Sequence, residues 1–229
     1  DGFKEDGFKN ALKILFAVGK SPALAFYLHI PFCPRRCYFC SCYSIVTRDY
    51  ERVKAYLSYL FREIYMLRSF FDENSIVPNF KEIHFGGGSP SYLKEKEFDQ
   101  LMDKIQTVVD MKRVKEVTIE IDPRETTREK MEYYHQKGIN RISMGIQDFD
   151  IEVQKAVNRI QPIELIERLL TPDLRQYFTS VNFDILCGLP KQTFGTFRKT
   201  METLIRLSPD RSCLIYLTYI PDVKKHQRF

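Results

Sequence analysis

Four of the six cysteines in this 229-residue chain crowd between Cys33 and Cys42. That is too few and too tight for a disulfide scaffold, and it points to metal chemistry. Cys33, Cys37 and Cys40 form a C-x3-C-x2-C pattern within His29-Ile-Pro-Phe-Cys-Pro-Arg-Arg-Cys-Tyr-Phe-Cys. Three thiolates on one short loop can hold three corners of a cubic iron–sulfur cluster and leave one iron open to another ligand. Zinc competes, although structural zinc takes four ligands, usually from two C-x2-C units far apart. Cys42 could be a fourth ligand, but a fully ligated cluster would only carry electrons, so it is placed outside the ligand set. Arg35 and Arg36 either offset the charge of thiolates and cluster or are solvated loop charges.

Other chemistry-bearing residues sit in apolar surroundings. Glu120 lies in Val117-Thr-Ile-Glu-Ile and Asp184 between Phe183 and Ile185, where an unpaired buried carboxylate is costly. Each needs a cation or a ligand; a structural salt bridge is the alternative. Gly86, Gly87 and Gly88, followed by Ser89, would let backbone N–H groups approach a ligand, although tight turns use the same residues. His29 reads as a strand residue hydrogen-bonded to backbone. For Gln147 and Arg159 the bland alternatives are an Asp148 cap on the next helix and a surface arginine. Cys187 and Cys213 fall inside apolar strands and read as small hydrophobes.

These residues need a frame. Short β-branched or aromatic runs at 24–30, 82–85, 116–121, 141–146, 180–187 and 213–219 predict six strands. Amphipathic stretches between them predict helices over 49–71, 98–109, 128–137, 163–176 and 196–207, the first with Val53, Leu57, Leu60, Ile64 and Leu67 on one stripe. Strands joined by helical crossovers run parallel. The unusual residues follow five successive strands, and such ends share one rim. The expected fold is therefore α/β, a partial (β/α)6 barrel of parallel strands with outer helices. Residues 1–23 are a lead-in and 24–229 one core domain.

With 44% hydrophobic and 28% charged residues, the chain can bury a core, which excludes intrinsic disorder. No stretch of about eighteen apolar residues and no signal-peptide pattern is present, so a cytoplasmic protein with no membrane partner is expected. The formal charge of +5 is spread along the chain with acids between, and the aromatics lack basic interleaving, so nucleic acid is not expected.

The cysteine loop after a first strand resembles that of the radical S-adenosylmethionine superfamily. The resemblance implies a [4Fe–4S] cluster on Cys33, Cys37 and Cys40. Its open iron would bind S-adenosylmethionine and reduce it to methionine and a 5′-deoxyadenosyl radical. Across nearly the whole chain the sequence is similar to one branch, the oxygen-independent coproporphyrinogen III oxidase family. The similarity rests on Tyr27-Leu-His-Ile-Pro-Phe-Cys33, Cys37-Tyr-Phe-Cys-Ser-Cys42, Gly86-Gly-Gly-Ser-Pro-Ser-Tyr-Leu93, Glu120-Ile-Asp-Pro-Arg-Glu125, Ser143-Met-Gly-Ile-Gln-Asp-Phe149, Val157-Asn-Arg159 and Asp184-Ile-Leu-Cys-Gly-Leu-Pro-Lys-Gln-Thr193.

That likeness implies an oxidoreductase of haem biosynthesis. It would decarboxylate two propionates of coproporphyrinogen III to vinyl groups, giving protoporphyrinogen IX, with two S-adenosylmethionine molecules. It assigns cofactor binding to Tyr27, Phe39, Cys40, Ser41, Gly87, Gly88, Ser89, Glu120, Gln147, Arg159, Asp184 and Thr218. The implied partners are a porphyrinogen substrate and an electron donor protein or reductant, for a monomer. The alternatives are a related radical methyltransferase or haem-degrading enzyme, a haem chaperone of the same superfamily, or a zinc-stabilised binding module. The chain departs from the branch at Tyr43-Ser44, at Leu217-Thr218-Tyr219, and at His226-Gln-Arg-Phe229, beyond which family members continue into a helical domain.

Overall fold

A computed structural model of the chain describes residues 4–17 and 22–228. Six strands make one sheet: β1 (Ala23–Ile30), β4 (Asn79–Gly87), β5 (Glu116–Ile121), β6 (Arg141–Gln147), β7 (Ser180–Cys187) and β8 (Arg211–Tyr216). They lie side by side in chain order, and the pairs β5–β6, β6–β7 and β7–β8 are parallel. A doubly wound sheet reverses its strand order at a switch point. This one never reverses, so each crossover adds a strand to the same edge, as in a barrel.

The strand sequences explain their own orientation. In β5, β6 and β7 most residues are buried and the rest half-buried, as in a sheet covered on both faces. The half-buried positions include Glu120, Gly145 and Asp184. Side chains alternate with period two, so Thr118, Ser143 and Asn182, each two residues earlier in its strand, share their face. Ser143 pairs in register with both Glu120 and Asn182. The other face carries Ile119, Ile142, Met144, Val181 and Phe183, each at most 1% exposed.

The chain divides into two compact units. One takes the described residues up to Tyr27 with Asp49–Ile83 and Leu93–Glu116. It contains α1 (Glu5–Ala17), α2 (Tyr50–Glu73) and α3 (Glu95–Gln106). The expected lead-in therefore contains a helix. Helix α2 starts on an Asp49 cap and buries Val53, Leu57, Leu60 and Ile64; Leu67 is only half-buried. Phe71 packs edge-on against Phe16 and Phe80. The Tyr50 hydroxyl donates to Glu97 Oε2 and accepts from Lys94 N.

The second unit takes Leu28–Arg48, His84–Tyr92 and the chain from Val117 onward. Its cysteine segment is bracketed by two short parallel strands, β2 (Phe32–Cys33) and β3 (Ile45–Val46). After β5 come α4 (Arg128–Gln136), α5 (Ile151–Ala156), α6 (Ile163–Glu167), α7 (Pro172–Arg175) and α8 (Phe194–Leu207). The single helix expected over 163–176 is thus two short ones. Pro172 has no N–H for a helical bond and its ring clashes with the carbonyl four residues back, so a new helix starts on it.

Three further expectations are corrected. Helix α5 is capped by Asp150, whose side chain accepts from Glu152 and Val153 N–H, not by Asp148. The sixth strand ends at Tyr216, leaving Thr218 beyond it. Every residue of β8 is exposed, because it is the last strand of the sheet, so Cys213 is not a buried hydrophobe; Cys187 is half-buried.

Candidate active site

Within the second unit, the strand ends and the cysteine loop enclose a cavity of about 380 Å³, a size usual for small-molecule sites. Its wall includes Cys33, Cys37, Phe39, Cys40, Ser41 and Cys42 from the loop, Gly87–Ser89 after β4, and Glu120, Gln147, Arg159, Asp184 and Thr218. Of the expected cofactor residues, only Tyr27 stands outside this wall.

The loop is held by backbone bonds at each stretch. Ile45 N donates to Pro31 O and Thr47 N to Cys33 O. His29 Nε2 lies 3.0 Å from Tyr43 O, the backbone role expected of it. The Val157-Asn-Arg159 motif is a clamp on the same loop. Tyr38 N donates to Val157 O at 2.9 Å, and Asn158 Nδ2 donates to Arg36 O at 2.7 Å. Arg159 is only 8% exposed, which removes the surface reading. Its guanidinium donates to Gly145 O at 2.6 Å and to Cys37 Sγ at 3.5 Å.

A second guanidinium reaches the same sulfur. Arg124 Nη2 is 3.5 Å from Cys37 Sγ and donates to Asp122 Oδ2 at 2.6 Å. Burial alone would raise the Asp122 carboxyl, but Arg159 and Arg124 overcome it and hold the group well below the usual carboxylate range. Sequence reasoning missed Asp122 and Arg124 as site residues. Their signal was a carboxylate and an arginine flanking Pro123 at a strand end. Of the two loop arginines, Arg35 pairs with Glu125 at 2.9 Å, and Arg36 donates to Ser44 Oγ while lining the cavity.

The loop thiols differ in environment. Burial, then the neighbouring Cys40 and Cys37, push Cys33 up to about 12. A hydrogen bond with Cys42, aided by Ser44 and Arg36 against the effect of burial, brings Cys40 down to about 5.

The acidic residues and the glycines behave differently from expectation. Glu120 is not buried: its side chain keeps 40% of its exposure, with His84 Nε2 at 3.0 Å from Oε1 and Gly87 N donating to Oε2 at 3.1 Å. Asp184 accepts from Asn182 Nδ2 at 2.8 Å and Ser143 Oγ at 3.4 Å. Its pKa is raised, first by burial and then by Glu120, against the lowering effect of the Asn182 bond. Gln147 has φ +72 beside a register shift between Gly145 and Gln147. A bulge with left-handed backbone re-aims a side chain at a rim, and such strain collects at functional sites.

The N–H groups after β4 are already engaged. Gly88 N donates to Ile30 O at 2.8 Å and Ser89 N to Phe32 O at 2.9 Å. A Cβ on Gly88 would lie 2.7 Å from Pro31 O. The glycines thus let this loop lie against the chain entering the cysteine segment; they form no open cradle of N–H groups.

The donor set fits a cluster. Among the described residues no three His, Cys, Asp or Glu side chains are gathered around a single ion position, while three thiols share one cavity wall with Arg36, Arg124 and Arg159. Thiolates spread over one wall beside cations suit a polynuclear anionic group better than a lone zinc.

Fold and site together define a class. The family model of the radical SAM superfamily matches residues 27–204, and the chain belongs to that superfamily, whose members work with a [4Fe–4S] cluster and S-adenosylmethionine. More particular relatives follow. Over 231 residues the chain is 39% identical to the oxygen-independent coproporphyrinogen III oxidase of Helicobacter pylori strain J99, covering 99% of this chain and 50% of that protein. Against the enzyme of the same name from Escherichia coli it is 38% identical over 228 residues, covering 99% and 49%. The solved structure of Escherichia coli coproporphyrinogen III oxidase, described as a radical SAM enzyme, matches with TM-score 0.85 at 35% identity, over 99% of this chain and 50% of that one. The radical methyltransferase TsrM of Kitasatospora setae, at 14% identity and TM-score 0.56, shares the fold, with 86% of this chain and 37% of that chain covered. The chain spans about half the length of the curated relatives it matches.

Proposed function

We propose that the chain is the radical-generating part of an oxygen-independent coproporphyrinogen III oxidase, which converts two propionate side chains of coproporphyrinogen III to vinyl groups. One observation carries the reading. Three loop thiols line a single cavity with Glu120, Gln147, Arg159 and Asp184, in a chain 39% identical to an enzyme of that name.

When bound, the cluster and S-adenosylmethionine would supply the electron and the primary carbon radical needed to oxidise a propionate side chain with loss of carbon dioxide. The chain's own part is holding and positioning. Cys33, Cys37 and Cys40 would hold the cluster as thiolates. Arg124 and Arg159 aim N–H groups at the Cys37 sulfur and offset negative charge there. Glu120 and Asp184 present acceptor oxygens across the cavity, suited to an ammonium group and ribose hydroxyls. Gln147, aimed inward by its bulge, can donate and accept. Leu186, Ile215 and Leu217 make one side of the cavity apolar. In this reading a second S-adenosylmethionine binds beside the first, an external reductant delivers the electrons, and the enzyme is cytoplasmic and monomeric. Among the described residues no helix is long and apolar enough to cross a membrane.

The test uses the full-length protein, reconstituted anaerobically. It should consume S-adenosylmethionine and release carbon dioxide from coproporphyrinogen III. Cleavage of S-adenosylmethionine without carbon dioxide release rejects the substrate and keeps the radical chemistry.

A further inference from the structure

The segment following β8 does work that the proposed reaction leaves unassigned. Gln227 has no exposed surface, and its amide is fully used. Its Oε1 accepts from Ile220 N at 2.7 Å, while Nε2 donates to Phe39 O at 2.8 Å and Thr218 O at 2.9 Å. The reversed amide would set an oxygen against two carbonyls and an NH2 against an N–H, so one orientation alone satisfies all three. The neighbouring residues reach the same loop. His226 Nε2 lies 2.7 Å from Cys40 O, and Lys224 Nζ donates to Cys42 O at 3.0 Å.

We infer that the 224–227 segment is a clip on the cluster loop and that Gln227 is its positioning residue. The inference rests on the reading that Cys33, Cys37 and Cys40 hold the cluster. Three carbonyls of the stretch from Phe39 to Cys42 point at side chains of this segment. Anchors from outside the loop, Val157, Asn158 and the β2–β3 pairing, hold Tyr38, Arg36 and Cys33, and Arg124 and Arg159 reach Cys37. Within the loop, Cys40 N donates to Cys37 O at 3.2 Å and Cys40 Sγ lies 3.7 Å from Ser44 Oγ; the clip adds a tie from Cys40 to the segment beyond β8, through its own carbonyl and through that of Phe39. Gln227 also bonds Thr218 O, so it ties the third thiol to the wall beyond β8. Loss of its two donor bonds releases Phe39 O, in the half-buried part of the loop, from the wall beyond β8, and Cys40 loses that restraint on its position.

Gln227→Glu tests this with almost no change of shape. The carboxylate still accepts from Ile220 N but cannot donate to either carbonyl. In the full-length, anaerobically reconstituted protein, the readouts are the rate of iron loss to a ferrous chelator, the electron paramagnetic resonance signal of the reduced cluster, and the melting temperature of the cluster-free protein. Gln227→Glu should lose iron at least about tenfold faster than wild type, as second-layer changes at metal sites do, with a broadened signal; because a carboxylate with no exposed surface facing two carbonyls is costly, its cluster-free melting temperature falls, and the separating readout is His226→Ala. His226→Ala should lose iron faster by a smaller factor, with a broadened signal and a cluster-free melting temperature near wild type. Arg228→Ala, at an exposed position, should leave the rate unchanged. Wild-type iron-loss rates in both Gln227→Glu and His226→Ala, or faster loss in His226→Ala matched by a lower cluster-free melting temperature, would overturn the inference. Failure of wild type to assemble a cluster on the three cysteines would instead overturn the reading beneath it.

Discussion

Asp122, at the end of β5, and Asp184, in β7, sit in the same cavity wall and are held in opposite ways. Burial disfavours the charge of both. Asp122 lies between two guanidiniums, with Arg124 Nη2 at 2.6 Å and Arg159 Nη1 at 3.4 Å, and stays ionised. Asp184 bonds to a neutral amide and a neutral hydroxyl, and Glu120 repels it. The difference separates support from function. Asp122 neutralises and aims two arginines that face Cys37. Asp184 is kept in a position that disfavours its charge and is relieved by protonation or by a ligand with a positive charge or strong donors, which is where a binding residue is expected.

The largest effect should come from breaking the closed side. Asp122→Asn leaves two buried guanidiniums without a countercharge and should lower stability by about 3–5 kcal/mol in denaturant titrations of the full-length protein. Because the folded carboxyl is held below its unfolded value, its contribution is complete above about pH 4. The gap between wild type and variant should therefore be full at neutral pH and shrink only in more acidic solution. A gap that widens on acidification would contradict the pairing.

Gly88→Ala probes the third part of the wall, where the loop after β4 touches the chain entering the cysteines. The new methyl would meet backbone of Pro31 and Phe32 at 2.7–2.9 Å, so a loss of about 1–3 kcal/mol is expected from overpacking, read as a lower melting temperature. Asp184→Asn should do the reverse of Asp122→Asn. Its raised pKa means that the folded state gains stability as pH falls through the Asp184 range, and the neutral amide mimics that gain at pH 7. The cluster-free melting temperature should hold or rise, while equilibrium binding of S-adenosylmethionine weakens by about tenfold or more, the scale of a lost bond to a charged group. The smallest effect is assigned to Cys213→Ser on the exposed β8, within about 0.5 kcal/mol in the same titrations.

The strands, the cysteine loop and the in-facing carboxylates were legible from local pattern. The core strands announce themselves by continuous apolar runs, and the thiols by spacing that packing does not explain. Pro172 was equally visible, yet the amphipathic pattern over 163–176 masked the break that it makes. The glycines ending β4 left two readings open, because a close approach to backbone and an N–H cradle call for the same residue type, and the bond from Gly88 N to Ile30 O shows the close approach. Arg124 could not be assigned, since its sulfur partner lies 87 residues earlier in the chain. Gln227 carries no local signal, and its partner Phe39 is 188 residues away.

The sequence by itself determined which groups are available: three thiols within eight residues, strand lengths, and polar residues at alternate strand positions. Those follow from spacing and from the period of extended chain, which are local properties. Tertiary structure decided which charge meets which, turning one buried aspartate into a fixed anion and leaving another strained. A desolvated charge or carbonyl takes its energy from whatever stands within a few ångströms, and the parallel crossovers bring those neighbours from the far end of the chain.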